Sequence, residues 1–517
     1  MINKAAPVNL TIEEDYDSQF CGSIPLHLVN LIQPHGMLLV LDSGDLKIVQ
    51  ASENVETYLG VSASNLLNQT LGNLIPDSQF EEIKAKVNRQ DSLEKIPLTL
   101  TFRVNGQGRA FSAVVLPQQD YILLELEESK DVAPAYFIGL YQNLKYVTTL
   151  LKRAQSCSEI AETAAAELKK FSGFDRVLVY QFDPQWNGIV VAQAREEEMD
   201  DYLGLRFPAS DVPRQARELY FRNPYRLIPT RDYTPVRMIP VINPLTQQFT
   251  DLSESSLRSV ANVHLEYLTN LDVMASMSLP IIIDNKLWGL LSCHHKTAKN
   301  PGYEMRSAME LFAGILSAQL EAKQKEENMA LRVRLRSLHV KLIEQLYSAS
   351  YFTDGILQGS TNIKDLLNLD GAAISIEGNI FLSGVTPEKQ EVKELVSWLR
   401  RNKNERVFAT DTLPAVYPYS KDYRAVASGL VAIPINAEQG EFILGFRQEV
   451  LQTVNWGGNP HDAIQMEPDG KTYHPRNSFS IYKETVQNTS LPWLPEELEA
   501  AHDLRGAVLE KLIKDRY

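Results

Sequence analysis

The chain has 517 residues, 44% of them hydrophobic, with 51 lysines and arginines against 65 aspartates and glutamates for a formal net charge of −14. That length allows roughly three domains with buried cores, and the acidic balance argues against a nucleic-acid partner, which requires a basic face. The longest apolar runs, Met37 to Leu41 and Leu279 to Ile283, are strand-sized against the ~18 residues of a membrane span, and no signal-peptide apolar region opens the chain, so a cytoplasmic protein without membrane partners is expected.

Residues 1–20 are polar and acidic, with Glu13-Glu-Asp-Tyr-Asp17 and no periodicity, and read as an extended arm. Cys21 follows. With Cys157 and Cys293 it makes three cysteines, too few for a disulfide framework and in keeping with a reducing compartment. A lone cysteine in such an arm is often incidental, but the arm cannot bury it locally, which leaves it available for covalent chemistry.

Residues 24–130 read as a mixed α/β domain. Met37 to Val49 forms two strands around an Asp-Ser-Gly turn. Glu53 to Leu59 and Ala63 to Leu66 form short helices. Leu98 to Val104, Ala110 to Leu116 and Tyr121 to Glu127 complete a meander, the layout of a PAS-like sensor domain. Gly106-Gln-Gly108 is a turn and not a phosphate loop, since no helix follows it.

Helical patterns then run from Ala135 to Cys157 and from Cys157 to Phe171. Strands Arg176 to Phe182 and Ile189 to Ala194 follow. Ser276 to Ile283 and Leu287 to Cys293 form a hairpin around Asp284-Asn-Lys286. From Met305 to about Tyr347, apolar residues at three- and four-residue spacing (Met309, Phe312, Leu316, Leu320) predict one very long helix, a spine joining two domains. Residues 350–490 repeat the α/β alternation, interrupted by a long insert at about 449–486; such inserts are functional or disordered, and its strand-like arms and isolated arginine favour function. In the terminal helix Leu498, Ala501, Leu504, Val508 and Leu512 make one apolar stripe, whose simplest use is pairing with another copy of the chain.

The stretch 204–295 carries the chemistry. Arg, Tyr, Ser, Asp and His side chains there are embedded in apolar runs, which suits a pocket for a large, flat, charged ligand. Arg226 and Arg258 suit a ligand with two carboxylates, because arginine pairs bidentately with carboxylates and stays charged when partly buried; the plainer reading of each is a surface ion pair. Ser276 and Ser278 share one strand face, either completing a carboxylate site or satisfied within the core. Asp211, between two prolines, either faces a protonated nitrogen ligand or caps the helix through Gln215 to Tyr220. His264 lies in an amphipathic run with Tyr267, and His294 ends a strand. His294 and His295, adjacent on a strand, face opposite ways and make a poor metal pair. No nucleophile–base pair, phosphate loop or paired-carboxylate motif stands in the chain.

Taken together, these residues resemble the photosensory module of phytochromes, of the biliverdin-binding bacteriophytochrome type. The resemblance rests on Phe207-Pro-Ala-Ser-Asp-Val-Pro213, Val263-His-Leu-Glu-Tyr-Leu268, Leu287-Trp-Gly-Leu-Leu-Ser-Cys-His-His295, Ile32-Gln-Pro-His-Gly36, and Trp456-Gly-Gly458 with Pro475-Arg-Asn-Ser-Phe479. It implies an α+β multidomain fold of PAS-like, GAF-like and PHY domains, each a mostly antiparallel sheet with helices, joined by the helical spine. A figure-of-eight knot is implied between the arm and the GAF domain. The bounds expected are 1–23 for the arm, 24–130 for PAS, 135–322 for GAF and 323–517 for PHY, with a tongue at about 449–486 and a signalling helix from about 495.

The resemblance also implies a red/far-red photoreceptor that binds biliverdin. Plant-type phytochromes attach the bilin through a cysteine directly before the lid histidine, where this chain has Val263. Bacteriophytochromes instead use a cysteine shortly before the Ile-Gln-Pro-His-Gly segment, and Cys21 lies there, so the resemblance implies attachment through a thioether to Cys21. Arg226 and Arg258 would take the two propionates, assisted by Tyr220, Ser276 and Ser278. The backbone carbonyl of Asp211 and the ring of His264 would sit by the pyrrole nitrogens, and His294 by the D-ring carbonyl. Tyr180, Phe207 and Tyr267 would surround the D ring. Asp211 would pair with Arg476 of the tongue until light refolds that element. The departures are Ala261-Asn262 in place of Ser/Thr-Pro, and Asp272 and Met274 in a run where the family has a glycine and a small or basic residue. A homodimer is implied, as are a downstream histidine kinase module and a response regulator, the kinase lying beyond residue 517 or on a partner. The competing reading is a GAF regulator of the cyclic-nucleotide type, without photochemistry.

Overall fold

The computed structural model describes residues 26–88, 95–104, 106–129, 134–402, 406–450, 452–460, 464–466, 473–475 and 477–516. They divide into two compact units, one of residues 26–323 with 455–482 and one of 324–454 with 483–516. Among the described residues no helix is long and apolar enough to cross a membrane.

The first unit contains two large, mainly antiparallel sheets besides the two-stranded ribbon of Ile464–Met466 and Tyr473–Pro475. One runs through Ile96–Val104, Gln107–Pro117, Tyr121–Glu128, Met37–Asp42 and Ile48–Ser52. Met37 to Leu41 is continuously apolar because both faces of its strand are buried. Leu39 and Leu41 pack with Val55, Leu59, Leu66 and Ile83 of the covering helices Val55–Leu59, Ala63–Leu66 and Asp77–Asn88. Leu38 and Val40 point the other way, onto Met238, Leu252 and Leu257. The helix Asp77–Asn88 is absent from the expectations above, although Phe80, Ile83 and Val87 share one face at helical spacing.

That first sheet also borrows a strand. Val236–Ile239 pairs with Ile48–Ser52 on one side and with Leu31–Ile32 on the other. A segment within 135–322 thus completes the sheet of 24–130, and the chain at 26–33 lies against the segment that supplies it. Arg258 donates to the Leu26 carbonyl at 2.7 Å, Leu252 N–H donates to the His27 carbonyl at 3.0 Å, and Gln33 N–H donates to the Leu257 carbonyl at 2.7 Å.

The second sheet places Ala275–Ile283, Lys286–His295, Arg176–Phe182 and Gly188–Arg195 side by side, antiparallel, with Arg226–Ile228 beyond the first of these. One face carries Val177, Val179, Met277, Leu279, Leu291 and Cys293. It packs on the helices Pro134–Arg153 and Cys157–Ser172 and on Met309, Phe312 and Leu316 of the helix Tyr303–Ser348. Burial among these groups pushes the Cys293 thiol far up and makes it a core residue. The opposite face carries the polar residues singled out above.

The second unit is a five-stranded antiparallel sheet, ordered Asn379–Gly384, Gly371–Ile376, Glu441–Arg447, Gly429–Asn436 and Phe408–Thr410. The helix Lys389–Arg401, opened by a capping box on Glu388, covers one face with Val392, Leu395 and Leu399. The terminal helix Pro495–Arg516 covers the other, together with Leu342 and Leu346. This corrects the expected use of its apolar stripe. Ala501, Leu504 and Val508 are buried in this unit's own core, with Leu498 and Leu512 packed beside them. The helix start is pinned by Arg447, which meets Glu497 at 2.7 Å with both side chains buried and lies over the Trp493 ring at 3.8 Å.

Candidate functional site

The site is a cavity of about 240 Å³ on the polar face of the second sheet. Strand register builds its floor. Ser276, His294 and Arg176 stand opposite one another on three neighbouring strands, and two residues along Ser278, Ser292 and Leu178 do the same. Arg226 pairs opposite Ser278, and Tyr180 opposite Leu290. The period-two alternation that buries Met277 and Cys293 below aims these side chains into one space above.

Two short helices and a turn form the walls. Pro208 and Pro213 bracket the 3-10 turn Ala209–Asp211, and the helix Arg214–Leu219 starts after Pro213. Asp211 does not cap that helix, since Pro213 holds the cap position. Its carboxylate instead accepts the Tyr267 hydroxyl at 2.9 Å. Tyr267 belongs to the helix Asn262–Asn270 and stacks with His264, one turn before it, at 5.8 Å and 10° between the rings. The surface that His264 exposes is cavity wall, and burial with the nearby Arg226 charge lowers its pKa to about 4. His264 is therefore neutral near pH 7.

One end of the cavity is strongly cationic. Arg226 Nη2 donates to the backbone carbonyl of Arg258, and the Arg258 guanidinium reaches the Leu26 carbonyl. Among the described residues neither guanidinium pairs with a carboxylate, and Arg226 Nη1 and Arg258 Nε are buried without an acceptor. Burial and the neighbouring Arg226 charge lower the Arg258 pKa to about 9, and burial lowers that of Arg226. Buried cations without counter-charge are costly. Two together, with unused donors, are a receptacle for an anion with at least two oxygens. Tyr220 and Ser278 hydrogen-bond to each other beside them.

The other end is aromatic. Phe207 lies 6.0 Å from Tyr180 and 5.6 Å from Tyr202 between ring centroids. Tyr180 is seated by an absence: a Cβ on Gly188 would fall 1.6 Å from its ring. Residues of the expected tongue close this end. Trp456 pairs in parallel with Arg206, and a Cβ on Gly457 would approach the Phe207 ring to 2.7 Å. Phe479 meets Tyr267 edge-on at 5.1 Å, His474 contacts Glu266 at 2.8 Å, and Pro475 lines the cavity.

A cavity with paired guanidiniums at one end, aromatic rings at the other and neutral histidines between agrees with what comparison with known proteins finds. Family models described as PAS fold, GAF domain and Phytochrome region match residues 21–129, 156–322 and 335–516. Cyanobacterial phytochrome B of Nostoc sp. is 40% identical over 97% of this chain and 67% of its own length. Phytochrome-like protein Cph1 of Synechocystis sp. is 36% identical over 95% of this chain and 66% of its own length. The chain belongs to the phytochrome family. Among solved structures, the photosensory core module of the Stigmatella aurantiaca phytochrome is 38% identical, with a TM-score of 0.82 over 95% of this chain and 97% of that one. The bacteriophytochrome RpBphP3 of R. palustris is 33% identical, with a TM-score of 0.85 over 96% of this chain and 99% of that one. The chain spans about two thirds of the length of the first two relatives. Phytochromes bind a bilin chromophore.

Within this phytochrome fold, Tyr180, Phe207, Asp211, Tyr220, Arg226, Arg258, His264, Tyr267, Ser276, Ser278 and His294 all line the one cavity. Cys21 and Arg476 lie outside the described residues. The sequence reading missed Arg176, Ser292 and Tyr202. Arg176 was legible by alternation, since it shares a strand face with Tyr180 four residues on. The departures from the family pattern have local explanations. Asp272 sits at φ 53°, a left-handed position where glycine is at ease and aspartate is tolerated, and its carboxylate meets Lys296 at 2.7 Å. Met274 accepts the Thr230 hydroxyl at its sulfur at 3.4 Å. Ala261 occupies the N-cap of the helix Asn262–Asn270 and supplies no capping side chain.

Proposed function

We propose that this chain is the light-sensing part of a red/far-red photoreceptor. It holds biliverdin in the cavity, attached through a thioether to Cys21, in domains bounded at 24–130, 135–322 and 323–517. The observation that carries the reading is the pair of buried guanidiniums, Arg226 and Arg258, with unused donors. They fit a flat chromophore with two propionates, and a single carboxylate would leave one of them unmatched. The bound bilin supplies light absorption and isomerisation of a double bond; the remaining work belongs to the chain.

Tyr220 and Ser278 support the propionate end, and Ser276 stands beside His294. The Asp211 backbone carbonyl and neutral His264 accept from pyrrole N–H groups. Tyr180, Phe207 and Tyr267 would pack around the ring that turns. The tongue senses that turn, because Gly457 rests on Phe207 and Phe479 on Tyr267. An Asp211–Arg476 pair that breaks on illumination makes it a two-state element. The arm at 1–23 and the domain at 135–322 form the figure-of-eight knot, and the protein works in the cytoplasm. The output is a histidine kinase module acting on a response regulator.

The chain also pairs with a second copy. The terminal helix is spent on its own core, whereas Phe137 and Tyr141, one turn apart on the helix Pro134–Arg153, are 65% and 62% exposed. Replacing both by serine is expected to shift sedimentation from dimer to monomer at the same concentration. A dimer that persists removes this face from the proposal.

The deciding experiment adds biliverdin to the apoprotein, alternates red and far-red light, and records spectra before and after acid denaturation. Reversible switching is expected, with pigment that stays on the denatured chain in the parent and leaves it in Cys21→Ala. Absence of pigment uptake would return the nucleotide-type reading.

A further inference from the structure

Arg176 has no accessible surface, and among the described residues it forms no ion pair. Its Nε and Nη2 both approach Nδ1 of His294, at 3.3 and 3.0 Å, and its Nη1 donates to the Asp200 backbone carbonyl at 3.0 Å. The guanidinium lies over the Tyr202 ring, 4.2 Å from the centroid. Strand register sets Arg176 directly opposite His294. A guanidinium offers five N–H donors and no acceptor, so the nitrogen facing it must present a lone pair. Neutral imidazole carries a single N–H, which is thereby assigned to Nε2. That nitrogen stands 3.0 Å from Ser292 Oγ, and both residues line the cavity.

We propose that Arg176 is a positioning residue: donating to Nδ1, it holds His294 as the Nε2–H tautomer, so that this part of the cavity offers a hydrogen-bond donor and selects a ligand group that accepts, such as a lactam carbonyl oxygen. Ser292 Oγ is the acceptor already at hand, so a ligand oxygen competes with a hydroxyl. A second proton, at Nδ1, would oppose donor to donor and place an imidazolium against a guanidinium. Burial and the Arg176 charge hold His294 far from that state. The identity of the accepting group rests on the bilin reading; the tautomer does not.

Nitrogen NMR of the whole chain with labelled histidine tests the two separately, with His294→Gln assigning the signals. The apoprotein is expected to show His294 as a single Nε2–H species from pH 8 to pH 6. Arg176→Lys retains a donor and keeps that pattern. In Arg176→Gln, whose amide accepts as well as donates, the single-species pattern is lost to Nδ1–H. An Nδ1–H or imidazolium signal in the parent, or an unaltered pattern in Arg176→Gln, overturns the proposal. Should the glutamine variant fail to fold, the parent and lysine patterns still decide it. Vibrational spectra with biliverdin then read the acceptor, whose carbonyl stretch should rise in Arg176→Gln as its donor is lost. A correct tautomer in a protein that takes up no biliverdin upholds the lock and refutes the bilin reading.

Discussion

Arg226 and Arg258 illustrate how a binding residue differs from a stabilising one. Burial lowers the pKa of both, the Arg226 charge lowers that of Arg258 further, and among the described residues each keeps a buried donor without an acceptor. In Arg258→Gln one of two like charges disappears, so the urea midpoint of the apoprotein should hold or rise. The affinity for biliverdin should fall by roughly 10- to 100-fold, as expected for one charge-assisted hydrogen bond. A fall in apoprotein stability matching the loss of affinity would make Arg258 structural. At the aromatic end the logic is steric. Gly188 leaves no room for a Cβ beside Tyr180, so Gly188→Ala must drive that ring from its place. The expected cost is about 1–3 kcal/mol in denaturation, with altered photoproduct yield; an unchanged Tyr180 rotamer by crystallography would contradict it.

At the scale of elements, what the chain reveals depends on whether the partner of a residue is local. The strands Met37–Asp42 and Arg176–Phe182 follow from short, nearly continuous apolar runs and the helix Tyr303–Ser348 from three- and four-residue spacing, signals that are local to the chain. The row Ser276–His294–Arg176 does not, because it depends on non-local pairing of three strands. An apolar stripe states that a helix needs a partner and not which one, so the terminal helix suggested a second copy where the sheet of its own unit serves. Leu504, fully buried there, should therefore cost about 2–5 kcal/mol as alanine, with sedimentation unaffected; a variant that dissociates while retaining its stability would restore the intermolecular reading. The helix Asn262–Asn270 offers the opposite change. Ser in place of Ala261 supplies the missing cap, and a gain of ~1 kcal/mol is expected in thermal denaturation.

For the larger unit as a whole, buried histidines set the response to acid. Burial is the first cause of a pKa of about 3 at His35 and about 4 at His264, against an ordinary value of 6.5. Among the described residues neither ring nitrogen of His35 has a hydrogen-bond partner. The unfolded chain then binds protons that the folded chain refuses, between pH 6.5 and those lower values. Stability is complete above about pH 6.5, falls as the pH drops, and levels off below about pH 3. Each group adds a slope approaching ~1.4 kcal/mol per pH unit within that window. Urea midpoints of the apoprotein should thus be lower at pH 5 than at pH 7, and His264→Gln should flatten part of that difference because it removes one titrating group. Carboxylates that lose ion pairs in acid act at lower pH, so the interval from pH 7 to pH 5 isolates the histidines. Equal midpoints across it would mean that these rings accept protons in the folded chain, and with them that the cavity admits a further positive charge beside Arg226 and Arg258.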